Sequence, residues 1–251
     1  MTDSNPPTTY HTQNAPPAIV DRLRALVGAA RTFHIATLGC KVNQWEGDRI
    51  ESGLRRLGLE PAGQGRADLA VVNACAVTHV AAGKSRRQLA SLLRRADRAI
   101  VTGCLDGNWR PEGTGADRID AIAKTELLAA LRYIIKERQH QIQTSPSAEA
   151  FTQKRPASQK NARRTRAFVK IQDGCDAFCA YCIIPFMRPA VHSRPPGEIV
   201  EEVDRLLAAG HREIVLTGIH LGAYGRTSTQ EAAPPQPGIG EDLTGLVSRL
   251  T

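Results

Sequence analysis

The stretch ADLAVVNAC, residues 67–75, is an apolar run whose last residue is a cysteine. The same pattern recurs as RTFHIATLGC at 31–40 and as RAIVTGC at 98–104. Valine, isoleucine and alanine in near-continuous runs, with little alternation of polarity, predict strands covered on both faces, as in a parallel sheet. The terminal residues Cys40, Cys75 and Cys104 stand 35 and 29 residues apart, the length of a strand, crossover and next strand. Parallel strands bring their carboxyl ends to one edge of a sheet, where ligands bind. Taken singly, each cysteine reads as a small buried hydrophobe. Three at equivalent strand ends predict convergence on one object.

Helical spacing fills the gaps between these runs. Residues 43–57 put Ile50, Leu54 and Leu57 on one face, and Thr78 is a candidate N-cap for a helix carrying Val80, Leu89, Leu92 and Leu93. A further helix over 125–136 carries Leu127, Leu128, Leu131, Ile134 and Ile135. These elements predict a doubly wound α/β domain over residues 31–137. Ahead of it, residues 1–30 read as a polar, proline-rich disordered tail and a short helix, with Ile19, Val20, Leu23, Leu26 and Val27 at helical spacing. That helix is expected to pack as a lid or an edge.

Residues 138–165 are polar, with Ser, Pro, Gln and Lys and little periodicity, and read as a basic linker. The excess positive charge behind the net +8 is concentrated between Glu149 and Asp173, where seven Lys or Arg and no acid lie. Such a run either attracts phosphate backbones or merely keeps a linker soluble. A second domain over 166–251 begins with the strand-like RAFVKIQ. It continues through a cysteine loop to PPGEIVEEVDRLLAAG, a helix with Ile199, Val200, Val203, Leu206 and Leu207 inward and Gly210 closing it, and then EIVLTGIHL. This is another strand, helix, strand unit.

The chain has no stretch of about 18 apolar residues, and its start lacks the basic and apolar blocks of a signal peptide. A cytoplasmic protein without a membrane partner is expected. In that compartment thiols stay reduced, so the six cysteines point to metal ligation or reactivity rather than disulfides.

The loop GCDAFCAYC at 174–182 holds Cys175, Cys179 and Cys182, spaced by three residues and then two. A structural zinc site needs four ligands, and no matching pair accompanies these three. Three thiolates suffice for a 4Fe-4S cluster whose fourth iron stays open.

That spacing after a first strand resembles the radical S-adenosylmethionine (SAM) enzymes, in which the open iron chelates the cofactor and reductive cleavage yields a 5'-deoxyadenosyl radical. Together with TLGCKVNQWE, VVNACAVTHVAAGKSRRQL, VTGC, FVKIQDGCDAFCAYCIIPF and IVLTGIHLGAYG, it resembles the methylthiotransferases over roughly residues 33–225. LGCKVNQ and LTGIHLGAYG most resemble the branch acting on N6-threonylcarbamoyladenosine at position 37 of transfer RNA. Branches acting on isopentenyladenosine or on a ribosomal protein are the nearer alternatives. A non-catalytic iron–sulfur carrier or RNA-binding remnant is a further one.

The resemblance implies an N-terminal methylthiotransferase α/β domain followed by a partial radical-SAM βα barrel. It implies two 4Fe-4S clusters, an auxiliary one on Cys40, Cys75 and Cys104 and a reductive one on Cys175, Cys179 and Cys182. S-adenosylmethionine, transfer RNA and an external one-electron reductant complete the set. It places Tyr181 beside the adenine, against the alternative that this ring packs on the cluster. Asn43 and Gln44 either line the auxiliary site or form a polar helix start, and Gly218 either contacts cofactor or permits a turn.

Two local departures stand out. In FMRPAVHSR, Pro189 replaces the family's glycine and removes an amide donor, and TGCLDG lacks the usual Ala-Gln. From Arg166 onward there are 86 residues, enough for about two and a half units of roughly 30 residues, whereas the family's barrel has six. The expectation is an incomplete, weakly stable and catalytically dead barrel unless a separate chain completes it.

Overall fold

The structure is a computed structural model that describes residues 15–105, 116–144, 165–226 and 241–251. The expected tail over 1–14 and most of the expected linker, 145–164, lie outside the described residues. The described residues between 15 and 144 form one compact unit and those from 165 onward another.

In the first unit, α1 (Pro17–Gly28) precedes β1 (Thr32–Thr37), α2 (Lys41–Arg56), β2 (Glu60–Pro61), β3 (Ala67–Cys75), α3 (His79–Leu93), β4 (Ala96–Cys104), β5 (Ile119–Ala121) and α4 (Lys124–Thr144). The strands form one five-stranded sheet in the order β2-β1-β3-β4-β5, with every pair parallel. All of β3 except Asp68 is buried, which is why its sequence shows no alternation. Side chains of β3 point alternately to two cores. Leu69 and Val71 join Ile50, Leu54, Leu127 and Leu131 beneath α2 and α4, and Ala70, Val72 and Ala74 join Leu89 and Leu92 of α3. Each fully enclosed leucine contributes about 1.5–3 kcal/mol relative to exposure.

Several expectations need correction. Helix α1, expected as a lid or an edge, packs beside α4 with Leu23 fully buried in the core alongside Phe33, which leaves the edge reading and excludes the lid. Val80 is 65% exposed. Nine residues at about 100° each put it on the face opposite Leu89. Thr78 does cap α3, accepting from the Ala81 amide at 3.1 Å. Helix α4 runs to Thr144, past the expected end at 136. Beyond Ile135 it is tied down by polar contacts that apolar periodicity does not reveal: Glu137 accepts from Arg24 at 2.8 Å, and Arg138 donates to the Leu57 carbonyl at 2.6 Å.

The second unit contains β6 (Arg166–Lys170), β7 (Gln172–Asp173), α5 (Ile184–Met187), β8 (His192–Ser193), α6 (Pro196–Ala208), β9 (Glu213–Thr217) and α7 (Leu243–Leu250). β6 and β9 pair in parallel, while β7 and β8 form a short antiparallel clasp at the two ends of the cysteine loop. Val169, Ile171, Ile199, Val203, Tyr224 and Leu246 make the core. Gly210, at φ +92°, ends α6 in the left-handed conformation that glycine adopts without strain. Leu207 was expected inside but is 50% exposed, since it lies at the rim, roughly 80° around the helix from Ile199.

Candidate functional site

Strand order 2-1-3-4-5 places the topological switch between β1 and β3, the position where open α/β sheets bind ligands beyond their carboxyl ends. Cys75 ends β3 and Cys104 ends β4, and the two are direct register partners. β1 stops at Thr37, but the Leu38 amide still donates to the Asn73 carbonyl at 2.9 Å, carrying the chain along β3. Gly39 then turns at φ +99°, and a Cβ there would lie 3.1 Å from the Cys75 sulfur. Cys40 follows as the N-cap residue of α2. The fold therefore brings the three cysteines to one edge of one sheet. Cys75 and Cys104 are buried and Cys40 is exposed.

A buried polar frame surrounds them. Asn43 is fully enclosed, with Nδ2 donating to the carbonyls of Leu38 at 2.8 Å and Ala74 at 3.0 Å, and with Oδ1 3.7 Å from the Cys104 sulfur. Ser85 accepts from the Cys75 amide and donates to its carbonyl, each at 3.0 Å. Lys124, the first residue of α4, pairs with Glu46 at 2.7 Å and reaches within 3.9 Å of the Cys104 sulfur. The buried atoms Asn73 Oδ1 and Thr102 Oγ1 have no hydrogen-bond partner among the described residues. Of the two residues expected to line this site, Asn43 lies against the Cys104 sulfur and Gln44 is partly exposed.

In the second unit the cysteine loop leaves β7 at Gly174, with φ +75°. A Cβ there would lie 1.7 Å from the Ala190 carbonyl oxygen, so only glycine fits. Asp173 gathers the Lys170 ammonium at 2.8 Å, the Gly174 amide at 2.9 Å and the Arg188 guanidinium. The Arg188 carbonyl in turn accepts from the Cys175 amide at 3.1 Å. Farther along, the Cys182 amide donates to the Cys179 carbonyl at 2.9 Å, folding these two cysteines into one turn. The Cys175 sulfur lies 3.9 Å from Nδ1 of His220. Phe178 adopts φ +46° and meets Phe186 edge to face at 5.7 Å. Tyr181 is 94% exposed, its ring open to an incoming group. Gly218 backs onto Gln172, whose Cβ and Oε1 would be 3.1 Å from an added Cβ.

All six cysteines are free thiols, the soft donor set that takes iron–sulfur clusters or zinc. Among the described residues, no three His, Cys, Asp or Glu side chains close on a single ion. A cluster is bound differently from a single ion, because each thiolate takes a different iron. The trios, with the unpartnered polar atoms beside the first and the glycine-only turns at Gly39 and Gly174, fit such a group. Sequence reasoning had not singled out Lys124, Glu46, Gln172, Asp173, Arg188 or His220. A lysine opening a helix, where an acid is favoured, was the one available signal for Lys124.

Comparison with known proteins bears on both units. Residues 32–120 match the family described as Uncharacterized protein family UPF0004, and residues 169–227 match the Radical SAM superfamily. The chain is 36% identical to the threonylcarbamoyladenosine tRNA methylthiotransferase MtaB of Bacillus subtilis (strain 168), over 78% of this chain and 45% of that protein. It is 34% identical to the Chlamydia pneumoniae protein of the same name, over 77% and 44%. To the tRNA-2-methylthio-N(6)-dimethylallyladenosine synthase of Wolbachia pipientis wMel it is 32% identical, over 76% and 46%. The chain is similar to the radical SAM methylthiotransferases over most of its own length.

It spans about half the length of these curated relatives. The Radical SAM match implies S-adenosylmethionine and an iron–sulfur cluster. No helix among the described residues is long and apolar enough to cross a membrane.

Proposed function

We propose that this chain serves radical-SAM methylthiolation of transfer RNA, converting N6-threonylcarbamoyladenosine at position 37 to its 2-methylthio derivative in the cytoplasm. The observation that carries the reading is the side-by-side register of Cys75 and Cys104, with Gly39 pressing Cys40's segment onto the same edge. A radical-SAM enzyme needs one cysteine trio, and this chain builds a second on a separate sheet. The names of the Bacillus and Chlamydia relatives support the threonylcarbamoyl substrate.

In this reading Cys175, Cys179 and Cys182 hold a 4Fe-4S cluster and Cys40, Cys75 and Cys104 hold a second. When bound, these groups and S-adenosylmethionine, fed by an external one-electron reductant, supply the radical and the sulfur and methyl chemistry. The chain's own residues position. Asp173, Arg188 and Gln172 fix the start of the cysteine loop, and the Tyr181 ring is free to lie against the adenine. Gly218 keeps the end of β9 clear of a side chain that would displace Gln172. Asn43 and Ser85 hold the backbone around Cys75.

Anaerobic reconstitution followed by iron counting tests the ligation. About eight irons per chain are expected, falling by about four in Cys175→Ala and in Cys75→Ala. Four or fewer at the start sink the two-cluster reading. A spectrum unchanged by added S-adenosylmethionine sinks the cofactor assignment. Mass spectrometry of undermodified transfer RNA incubated with the reduced protein distinguishes the threonylcarbamoyl from the isopentenyl substrate.

A further inference from the structure

Lys124 opens α4, so its ammonium sits where the helix dipole is already positive, and only 8% of its side chain is exposed. Desolvation and the dipole both oppose a cation there. Compensation comes from Glu46 on α2, which is fully enclosed and accepts from Nζ at 2.7 Å. The ammonium also donates toward the Cys104 sulfur at 3.9 Å. Apolar side chains of similar volume would fill this space without the electrostatic cost. What the ion pair adds, and a leucine would not, is a fixed positive charge beside one sulfur of the trio. Asn43 also reaches that sulfur, presenting its Oδ1 there, and adds no positive charge.

We propose that Lys124, held by Glu46, is a positioning residue that donates to the Cys104 thiolate and raises the reduction potential of the iron–sulfur group on Cys40, Cys75 and Cys104. This rests on the ligation proposed above. Positive charge and hydrogen bonds at a ligating sulfur favour the reduced, more negative state of a cluster. The trio on Cys175, Cys179 and Cys182 has a histidine beside its first sulfur. The two groups are therefore tuned separately.

The test is a redox titration followed by electron paramagnetic resonance, on anaerobically reconstituted protein carrying Cys175→Ala so that a single group is read. Lys124→Met shifts the one-electron equilibrium about tenfold toward the oxidised form, ~59 mV. Glu46→Gln shifts it the opposite way, because the cation is then unopposed. The double variant falls between the parent and Lys124→Met, and Lys124→Arg stays close to the parent. A loosened fold would move Lys124→Met and Glu46→Gln in the same direction. Any order other than Glu46→Gln, parent, double variant, Lys124→Met from high to low overturns the proposal. So does loss of iron from the single variants while the double variant, folded by circular dichroism, keeps both iron and the parental potential. A parent that takes up no iron overturns the ligation itself instead.

Discussion

Gln172 accepts the His220 amide at 2.7 Å through Oε1, while its Nε2 donates to the carbonyls of Asp173 at 2.7 Å and Gly174 at 2.8 Å. One buried amide thus joins the start of the cysteine loop to the turn after β9, and it leaves His220 beside the Cys175 sulfur. Gln172→Leu keeps the volume but strands one donor and two acceptors. A loss of about 1–3 kcal/mol in urea unfolding is expected, with iron lost from the Cys175 trio and retained by the Cys40 trio. Equal loss from both trios would show that Gln172 does not act locally.

Gly103 precedes Cys104 at φ +115°, and an added Cβ would fall 2.1 Å from the Ala74 carbonyl oxygen. The backbone of β4 can reach Cys75's partner position only without a side chain there. Gly103→Ala combines a strained conformation, about 1–3 kcal/mol, with a backbone collision that must separate β3 from β4. The expected outcome is soluble expression well below the parent and, in any folded fraction, no iron on the first trio. Gly63, at φ +62° with nothing within 4 Å of an added Cβ, is the control. Gly63→Ala carries only the conformational cost.

Burial, with the negative charge of Glu241 as a second cause, raises the Tyr224 phenol to about 12, against the opposing influence of Arg194 and Arg249. Its hydroxyl donates to the Arg194 carbonyl at 3.0 Å. Between about pH 10, where the unfolded phenol ionises, and about 12, the folded chain keeps a proton that the unfolded chain has lost. Stability therefore falls as pH rises through that window. Tyr224→Phe should flatten this part of the stability curve while lowering stability slightly at pH 8. Parallel curves for the two proteins above pH 10 would exclude the phenol as the cause.

Much of the first unit was legible because its cysteine-terminated runs are buried on both faces, so composition and spacing alone carried the parallel order. β2 and β5 were not legible. They have two and three residues, too few for any period, and they exist because β1 and β4 offer them open edges. That Cys75 and Cys104 end neighbouring strands was readable from the spacing, whereas the supports around them were not. Glu46 and Lys124 are 78 residues apart in the sequence and meet only because α2 and α4 cover the same face of the sheet. Val80 misled because its residue type outweighed its angle around the helix.

Asp68 illustrates the same limit at an exposed edge and gives an acid-side prediction. Its carboxylate accepts from the Arg31 amide at 2.7 Å, the Thr32 amide at 2.8 Å and the Thr32 hydroxyl at 3.0 Å. Those bonds, the Arg31 amide first, hold it below the usual carboxylate range. The contribution is present above about pH 3.9, the unfolded value, and is lost as pH falls through the lower folded one. Asp68→Asn is expected to cost about 1 kcal/mol at pH 7, and the difference from the parent should shrink in urea titrations below pH 4.

Arg188 and Asp173 form a buried pair whose removal tests whether the cysteine loop is held by charge. Their side chains are 3% and 9% exposed, and Lys170 is the second cation on the same carboxylate. Arg188→Met breaks one buried pair and is expected to cost about 3–5 kcal/mol, with the Cys175 amide, bonded to the Arg188 carbonyl, exchanging hydrogen faster. Asp173→Asn and Lys170→Met added to the same chain remove the carboxylate that Arg188→Met leaves behind together with its second cation, so the triple variant should recover part of the stability. The Gly174 amide would still find an acceptor in the asparagine oxygen, so its protection should be kept. A triple variant no more stable than Arg188→Met would mean that packing by the guanidinium stem, and not the charge pair, secures the loop.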